Sequence, residues 1–267
     1  MLAELFYNFK ASFRKLLNGR IIFTPITPQF EKNLDLNIGY DHLVIFENLV
    51  SAFKEASNLD QKFERDGILC NHPNYDFYIL TNIFDILLKQ DTVTVLDIGG
   101  GIASKYYQNQ KYLSSIKNLT WIVVEQKHIV EYCKKNIFAE NLVFQEFDEI
   151  LIDKINVDVV IVSSAMQYFD TPYDVLSKLI NLSPKKIIID KTPFIKQSND
   201  KKMLQKLPTE MYRAQYICWF FSIDKFKVFL KKQKIVEYEE YNLKMHFYAG
   251  EEWKRFILSI GTSSAND

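Results

Sequence analysis

A turn of three glycines at residues 99–101 is the clearest candidate ligand site in the sequence. It directly follows the apolar, β-branched run 92–98, which is typical of a buried strand that meets a tight turn. Glycine lets a ligand approach the main chain closely, because no Cβ atom stands in the way. Asp97 lies two residues before the first glycine, and Glu125 ends the next apolar run, where an acidic side chain can bind ribose hydroxyls. The spacing predicts a nucleotide-derived cofactor at this turn.

Charge and helix packing favour one cofactor class over another. A nicotinamide-binding turn needs Gly-x-Gly-x-x-Gly or Ala, but in the register Gly99-x-Gly101 the third position is Ser104. Asp97 suits a pyrophosphate poorly, whereas a carboxylate suits a cationic sulfonium ligand. The sequence therefore predicts S-adenosylmethionine, with NAD as the disfavoured alternative.

Polar side chains also end the other apolar runs. Because the carboxyl ends of parallel strands meet at one edge of a sheet, these residues are expected near the glycine turn. Asp148 closes the third run, where it is either an adenine ligand or a surface turn residue. Arg65, in Glu64-Arg65-Asp66, is either a partner of the cofactor carboxylate or a member of a structural ion-pair network. The candidate cofactor-binding residues are Arg65, Asp97, Gly99, Gly100, Gly101, Glu125, Gln126, Asp148, Ser163 and Ser164.

Three residues are candidates for a catalytic base. Asp190 and Tyr168 lie at the ends of apolar runs, and His72 lies near a covering helix. Asp190 equally suits a turn cap, and a lone histidine is more often structural than catalytic.

The block 205–221 is rich in aromatic residues and lies outside the cofactor motifs. Aromatic rings stack on the C–H faces of sugars, and an arginine fork suits a phosphate or carboxylate. The alternative is ordinary core, and at least two of Trp219, Phe220 and Phe221 are expected to be buried. The candidate acceptor-binding residues are Gln167, Tyr212, Arg213 and Tyr216.

Apolar runs alternate with helical patterns along the middle of the chain, which predicts a parallel sheet with helices on both faces. The predicted strands are 92–98, 119–125, 141–147, 157–165 and 185–191, with a terminal pair at 235–241 and 254–260. We expect one domain over 1–267. It comprises an N-terminal helical extension at 1–62 and a core at 63–267 with an acceptor-binding insertion near 192–222.

Composition narrows the class of protein further. Lysine plus arginine equals aspartate plus glutamate at 33 each, so no net charge favours nucleic acid as a partner. Three scattered cysteines and four histidines without ligand spacing predict no metal and a reducing, cytoplasmic location. The amphipathic N-terminal stretch lacks the continuous apolar region of a signal peptide or a membrane span. We expect it to pack on the protein's own core or on a second copy in a homodimer. The alternative is that it binds a partner or a membrane surface.

Ordered motifs between residues 39 and 241 resemble a family of bacterial methyltransferases encoded among genes for surface polysaccharides such as capsule and O-antigen. The resemblance rests on Gly39-Tyr40-Asp41, Glu64-Arg65-Asp66, VLDIGGG, Trp121 with VVEQ, SSAMQYF, IIIDKTPF and the block QKLPTEMYRAQYICWFF. It implies a Rossmann-like class I methyltransferase fold with a mostly parallel seven-stranded sheet and a carbohydrate or nucleotide-linked sugar as acceptor. One departure is Ala103, where methyltransferases commonly have the last glycine of Asp-x-Gly-x-Gly-x-Gly. The leading interpretation is sugar O-methylation; the alternatives are an NAD-dependent sugar enzyme and a non-catalytic binding module.

Overall fold

The computed structural model describes residues 21–27, 43–59, 62–149, 155–207, 215–245 and 250–260. The predicted N-terminal amphipathic stretch up to residue 20, the motif Gly39-Tyr40-Asp41 and the candidate residues Tyr212 and Arg213 lie outside these residues. The strands are β1 (Ile22–Pro25), β2 (Phe63–Arg65), β3 (Ile68–Cys70), β4 (Val93–Ile98), β5 (Leu119–Val124), β6 (Leu142–Gln145), β7 (Val159–Ser163), β8 (Lys186–Ile195), β9 (Lys201–Lys206), β10 (Gln215–Ser222), β11 (Tyr238–Asn242) and β12 (Glu251–Ser259). The helices are α1 (Leu43–Asn58), α2 (Phe77–Leu87), α3 (Ser104–Leu113), α4 (Lys127–Asn136), α5 (Pro172–Asn181) and α6 (Ile223–Lys232), with a 3₁₀ turn at Met166–Tyr168.

Seven strands form the predicted sheet in the order β6-β5-β4-β7-β8-β12-β11. The first five are parallel, and β12 lies antiparallel between β8 and β11. The predicted parallel strands and the terminal hairpin are therefore confirmed.

Three further strands enlarge this sheet to ten. Residues 191–195 of β8 run past the end of β7, and there β10 pairs with β8 in parallel through Phe221 and Ser222. Strands β9 and β1 then follow as antiparallel neighbours. The extension predicted as helical at 1–62 thus includes a strand, β1, and the block 205–221 contributes strands to the sheet.

Apolar side chains cover both faces of the central strands, as a sheet packed between two layers of helices requires. On one face Ile79 and Ile83 of α2 pack with Val95 and Trp121. On the other face, α5 and α6 contribute Leu176, Leu179, Phe226 and Leu230 to a second cluster. In the part of the chain that the structure describes, no helix is long and apolar enough to cross a bilayer.

Helix α1 and the hairpin β2–β3 lie near the carboxyl edge of the sheet. The hairpin packs against α1 at Gly67, whose Cβ position would be 3.4 Å from the Cβ of Asn48. Ile45 of α1 packs with Tyr216 of β10, and Phe46 contacts the ring of His128 on α4 at 5.3 Å between centroids. The helix therefore reaches both the β4–β5 side and the β10 side of this edge.

Candidate functional site

The glycine turn after β4 leaves its backbone open on one side. Gly99 and Gly101 have φ values of +68° and +61°, a left-handed conformation that favours glycine. A Cβ atom on Gly99 would lie 2.9 Å from that of Ala165, and one on Gly100 would lie 2.8 Å from Oδ2 of Asp97. A Cβ atom on Gly101 would meet no described atom within 4 Å. Gly99 and Gly100 are thus required by packing, while Gly101 borders open space.

Ala103 takes a left-handed backbone conformation, which glycine adopts most readily. Its φ is +68°, and it precedes the first residue of α3 as the N-cap. A left-handed alanine costs about 1–2 kcal/mol relative to glycine, but its methyl group is completely buried and so contributes packing in return. The departure from the methyltransferase pattern therefore keeps the shape of the turn.

Asp97 lies beneath the turn and is completely buried. The indole N–H of Trp121 lies beside its carboxyl group, but the two miss hydrogen-bond geometry, and no other described residue donates to either oxygen. Burial raises the pKa of Asp97, and the neighbouring Lys105 and Trp121 counter that shift in part. Gly100 separates Asp97 from the open side of the turn, so its charge acts on the site from below rather than by contact.

Glu125 connects the end of β5 to the glycine turn. Its Oε1 accepts the Gly101 N–H at 2.9 Å and its Oε2 accepts the Gln126 N–H at 3.0 Å. Burial raises the pKa of Glu125, the two N–H donors lower it, and Asp97 adds a smaller rise. Each oxygen retains a lone pair, and the side chain is only partly buried. It can therefore accept two further hydrogen bonds from a ligand diol.

Glu64 ties the hairpin to the start of α3. Its carboxylate accepts the Gly67 N–H at 2.8 Å and the hydroxyl of Ser104, while the Glu64 carbonyl accepts Gln108 Nε2 at 3.0 Å. Burial raises the pKa of Glu64 to about 7. Next to it on β2, Arg65 is partly exposed, and in the described ranges its guanidinium forms neither an ion pair nor a hydrogen bond. The hairpin thus brings a free cation close to the glycine turn.

Asp190 is held in a buried network at the ends of β7 and β8. It is completely buried, with Oδ1 accepting Arg255 Nε at 2.8 Å and Oδ2 accepting Ser163 Oγ at 3.0 Å. Arg255 also contacts Asp76 Oδ2 through Nη2 at 3.3 Å. Ser164 is anchored by its N–H to the carbonyl of Asp190 at 2.9 Å. Asp190 therefore holds structural elements together and has no exposed oxygen with which to take a substrate proton.

Gln167 and Tyr168 lie in the turn after β7 and face the added strands. The Tyr168 hydroxyl donates to Gln205 Oε1 at 2.9 Å, and its ring meets that of Tyr216 edge-on at 5.2 Å. Tyr216 is only 6% exposed, since Ile45 of α1 packs over it. Gln167 is 1% exposed and its Oε1 accepts no hydrogen bond within the described segments. Phe220 and Phe221 are buried, as the sequence predicts.

The remaining candidates lie further from the turn. Gln126 is the N-cap of α4 and is partly buried beside Glu125. Asp148 is exposed in a short helical stretch beyond β6, and His72 is exposed just after β3.

Arg255 and Gln205 are site residues that the sequence reasoning missed. Gln205 pairs opposite Tyr216 on the neighbouring strand, which only knowledge of strand pairing reveals. Arg255 is 6% exposed in β12, where it directly precedes the apolar residues Phe256, Ile257 and Leu258. A buried arginine needs a partner, so the pair Lys254-Arg255 at the start of the run 254–260 is a usable signal.

Comparisons with solved structures identify the fold. The N-terminal domain of EvdMO1, crystallised in the presence of SAH and D-fucose, superposes with a TM-score of 0.53 at 13% sequence identity, covering 84% of this chain and 98% of that domain. The chain has the fold of the class I methyltransferases. A second structure of the same domain with SAH bound gives a TM-score of 0.50 at 13% identity, over 80% of this chain and 96% of the other. No protein-family model matches the sequence, and a comparison with curated proteins gives no match.

The residues at the carboxyl edge of this methyltransferase fold fit S-adenosylmethionine. The open side of Gly101 accepts close approach, and Glu125 keeps lone pairs for a ribose diol. The Asp97 carboxyl group lies buried beneath the turn without an ion pair among the described residues, and a cationic ligand above it would favour its ionised form.

Proposed function

We propose that this protein is an S-adenosylmethionine-dependent methyltransferase that O-methylates a sugar or a sugar-linked group. The observation that carries the proposal is the glycine turn, with Gly101 open and Glu125 bonded to its backbone over the buried charge of Asp97. The similarity to a domain crystallised with SAH and D-fucose supports it.

In this proposal each cofactor group has a residue of matching chemistry. Glu125 accepts the ribose hydroxyls and Gln126 continues that surface, while the backbone of 99–101 borders the cofactor. Asp148, in the short helical stretch beyond β6, accepts the adenine amino group, and Arg65 pairs with the carboxylate. Ser163 shapes the floor through Asp190, and Ser164 provides polar backbone beside Ala165.

S-adenosylmethionine supplies an electrophilic methyl group. The chain's own residues must orient an acceptor hydroxyl, exclude water and take up its proton. Asp190 is the least suited of the three base candidates, because its carboxylate is ion-paired and buried. His72 is exposed just after β3, and Tyr168 lies in the turn after β7. We propose these two as the candidates for the base.

We propose that the acceptor binds between the turn after β7 and the strands β9 and β10. Gln167 offers a buried oxygen without a partner among the described residues, and Tyr212 and Arg213 lie in the chain between β9 and β10. Tyr216 contributes by positioning Tyr168, on which its ring packs. Surface-polysaccharide synthesis in the cytoplasm, by a monomer or a homodimer, is the setting that the family resemblance supports.

Calorimetry on Glu125→Ala tests the cofactor assignment. Losing the acceptor of two hydroxyls should weaken S-adenosylmethionine binding by about 1–3 kcal/mol. Glu131→Ala, on the exposed side of α4, is the matched control and should bind as the wild type does. Unchanged affinity in Glu125→Ala would remove the ribose assignment. Tighter binding of NADH than of S-adenosylmethionine would overturn the proposed class of enzyme.

A further inference from the structure

Lys191 lies in a β-bulge at the carboxyl edge of the sheet. The register of β8 and β12 shifts there, so that Asp190 and Lys191 together face the single residue Arg255. Lys191 has a φ of +50°, a left-handed conformation that is unfavourable for a residue with a side chain. Bulges redirect side chains and are frequent beside active sites. The backbone thus deviates from a regular strand at a cationic residue.

The turn after β7 connects Lys191 to the glycine turn. At one end of it, the Cβ atom of Ala165 would be 2.9 Å from a Cβ atom on Gly99. At the other end, Gln167 Nε2 lies 3.5 Å from the carbonyl oxygen of Lys191. Lys191 therefore lies on the acceptor side of the proposed cofactor site, a single short turn away.

The charge of Lys191 is not neutralised within the described residues. Its side chain is partly buried, yet no carboxylate there forms an ion pair with it and no hydrogen bond uses its ammonium group. The adjacent Asp190 is not a counterion for Lys191, since its two carboxylate oxygens accept hydrogen bonds from Ser163 and Arg255. An anionic ligand group at this place would supply the counterion that the described residues do not.

Gln167 gives a second, independent indication of a ligand at this place. Its side chain is 1% exposed, and Oε1 accepts no hydrogen bond in the described part of the structure. Buried polar atoms are nearly always paired, and an unpaired one often marks a functional position. A hydroxyl beside an anionic group would satisfy Gln167 and Lys191 together.

We propose that Lys191 binds an anionic group of the acceptor, a phosphate or a carboxylate, and that Gln167 Oε1 accepts a hydrogen bond from a neighbouring hydroxyl. The acceptor is then an acidic or phosphate-linked sugar rather than a neutral one. This inference rests on the proposed methyltransferase function for its orientation in the site, but the anion site itself can be tested separately.

The test is calorimetry on protein loaded with S-adenosylhomocysteine, using uridine diphosphate and D-glucuronate as probes. At least one probe should bind the wild type, and Lys191→Gln should weaken that binding tenfold or more. Lys191→Arg keeps the charge and should retain binding within about threefold. Lys201→Gln makes the same change at an exposed lysine of β9 and should have no effect. Preference for one probe identifies phosphate or carboxylate as the group.

A measurement on the wild-type protein removes the dependence on how the variant folds. Lysines are acetylated with acetic anhydride and the extent at each is read by mass spectrometry, with and without the probe. The bound probe should protect Lys191 and leave Lys201 unchanged.

Binding of neither probe at millimolar concentration, equal binding by Lys191→Gln, or no protection of Lys191 would each overturn the inference. If S-adenosylhomocysteine fails to bind while probe binding to the unloaded protein still depends on Lys191, the methyltransferase proposal fails and the anion site stands. If S-adenosylhomocysteine binds but probe binding does not depend on Lys191, the anion site is wrong and the methyltransferase proposal stands.

Discussion

Asp97 on β4 and Asp190 on β8 lie on the two strands that flank β7, opposite Ile161 and Ser163, and both are completely buried. Asp190 is bonded to Arg255 and Ser163, so its charge is balanced within the protein. Asp97 accepts no hydrogen bond from the described residues, and burial raises its pKa. Asp190 is thus satisfied within the protein, whereas the Asp97 carboxyl group beneath the glycine turn has no ion-pair partner among the described residues.

The difference shows how to separate structural from ligand-binding carboxylates in this fold. Both residues directly follow an apolar run in the sequence, so the sequence alone marks both as site residues. What distinguishes them is whether the protein itself satisfies the carboxylate. A buried carboxylate that already has hydrogen-bond and ion-pair partners within the protein has no free lone pair in position to bind a ligand. A buried carboxylate without such partners is stabilised by a ligand or by a proton.

Arg255→Met should have the largest effect on stability, because it removes the cation that distinguishes Asp190 from Asp97. It leaves the Asp190 carboxylate buried without its cation, and losing one partner of a buried pair costs about 3–5 kcal/mol of the free energy of unfolding. Urea denaturation measures the loss. The double variant Asp190→Asn with Arg255→Met removes both charges and should recover part of it. A loss below about 1 kcal/mol in the single variant would show that the pair contributes little.

Glu64 is an intermediate case, buried but partly satisfied by Gly67 and Ser104. Its pKa is raised from 4.5 to about 7, so the folded protein binds this proton more tightly than the unfolded chain does. The stabilisation is therefore complete below pH 4.5 and is lost as the pH rises through 7. Relative to Glu64→Gln, the wild type should lose up to roughly 3 kcal/mol of unfolding free energy across this window.

Unfolding free energies of both proteins at several pH values between 4.5 and 8 measure that difference. Glu131→Gln, at an exposed carboxylate of α4, is the matched control. Parallel profiles for Glu64→Gln and the wild type would mean that Glu64 keeps its charge throughout, and that the hairpin satisfies it as fully as Arg255 satisfies Asp190.

Asp97→Asn has the smallest expected effect, and Asp190→Asn is its matched comparison. At pH 8 a neutral amide is less costly to bury than an unpaired carboxylate, so Asp97→Asn should raise the unfolding free energy by about 1 kcal/mol. Asp190→Asn should lower it, because Arg255 loses its counterion. Thermal unfolding at pH 8 measures both. If Asp97→Asn destabilises the protein as much as Asp190→Asn does, the contrast between the two strand ends is wrong.

Much of the fold was predictable because continuous apolar runs produce buried parallel strands, as Val93–Ile98 and Val159–Ser163 do. The hairpin β2–β3 and the strands β1, β9 and β10 were missed. All but the aromatic β10 are short or contain several charged residues, as Lys201–Lys206 does, and their strand structure comes from pairing with neighbours. Local sequence carries little information about such pairing.

The glycine turn and Glu125 followed from spacing, since both belong to consecutive strands whose register is fixed by the parallel sheet. The spacing did not predict the partner of Asp190, because Arg255 is 65 positions away in the chain. Its contact with Asp190 depends on β12 lying next to β8, and on the bulge that sets two residues against one. A contact of this kind requires knowledge of the tertiary structure.

Two adjacent side chains of helix α1 point to different parts of the site. Phe46 contacts the ring of His128, three residues after Glu125, and Ile45 packs against Tyr216 on β10. Adjacent residues of one helix therefore pack beside both the proposed cofactor site and the proposed acceptor site. A ligand that orders this helix from one side lowers the entropy that remains to be lost when the other side is filled. Because such coupling is reciprocal, each of the two ligands would tighten the binding of the other by the same factor, and the helix would make their binding cooperative.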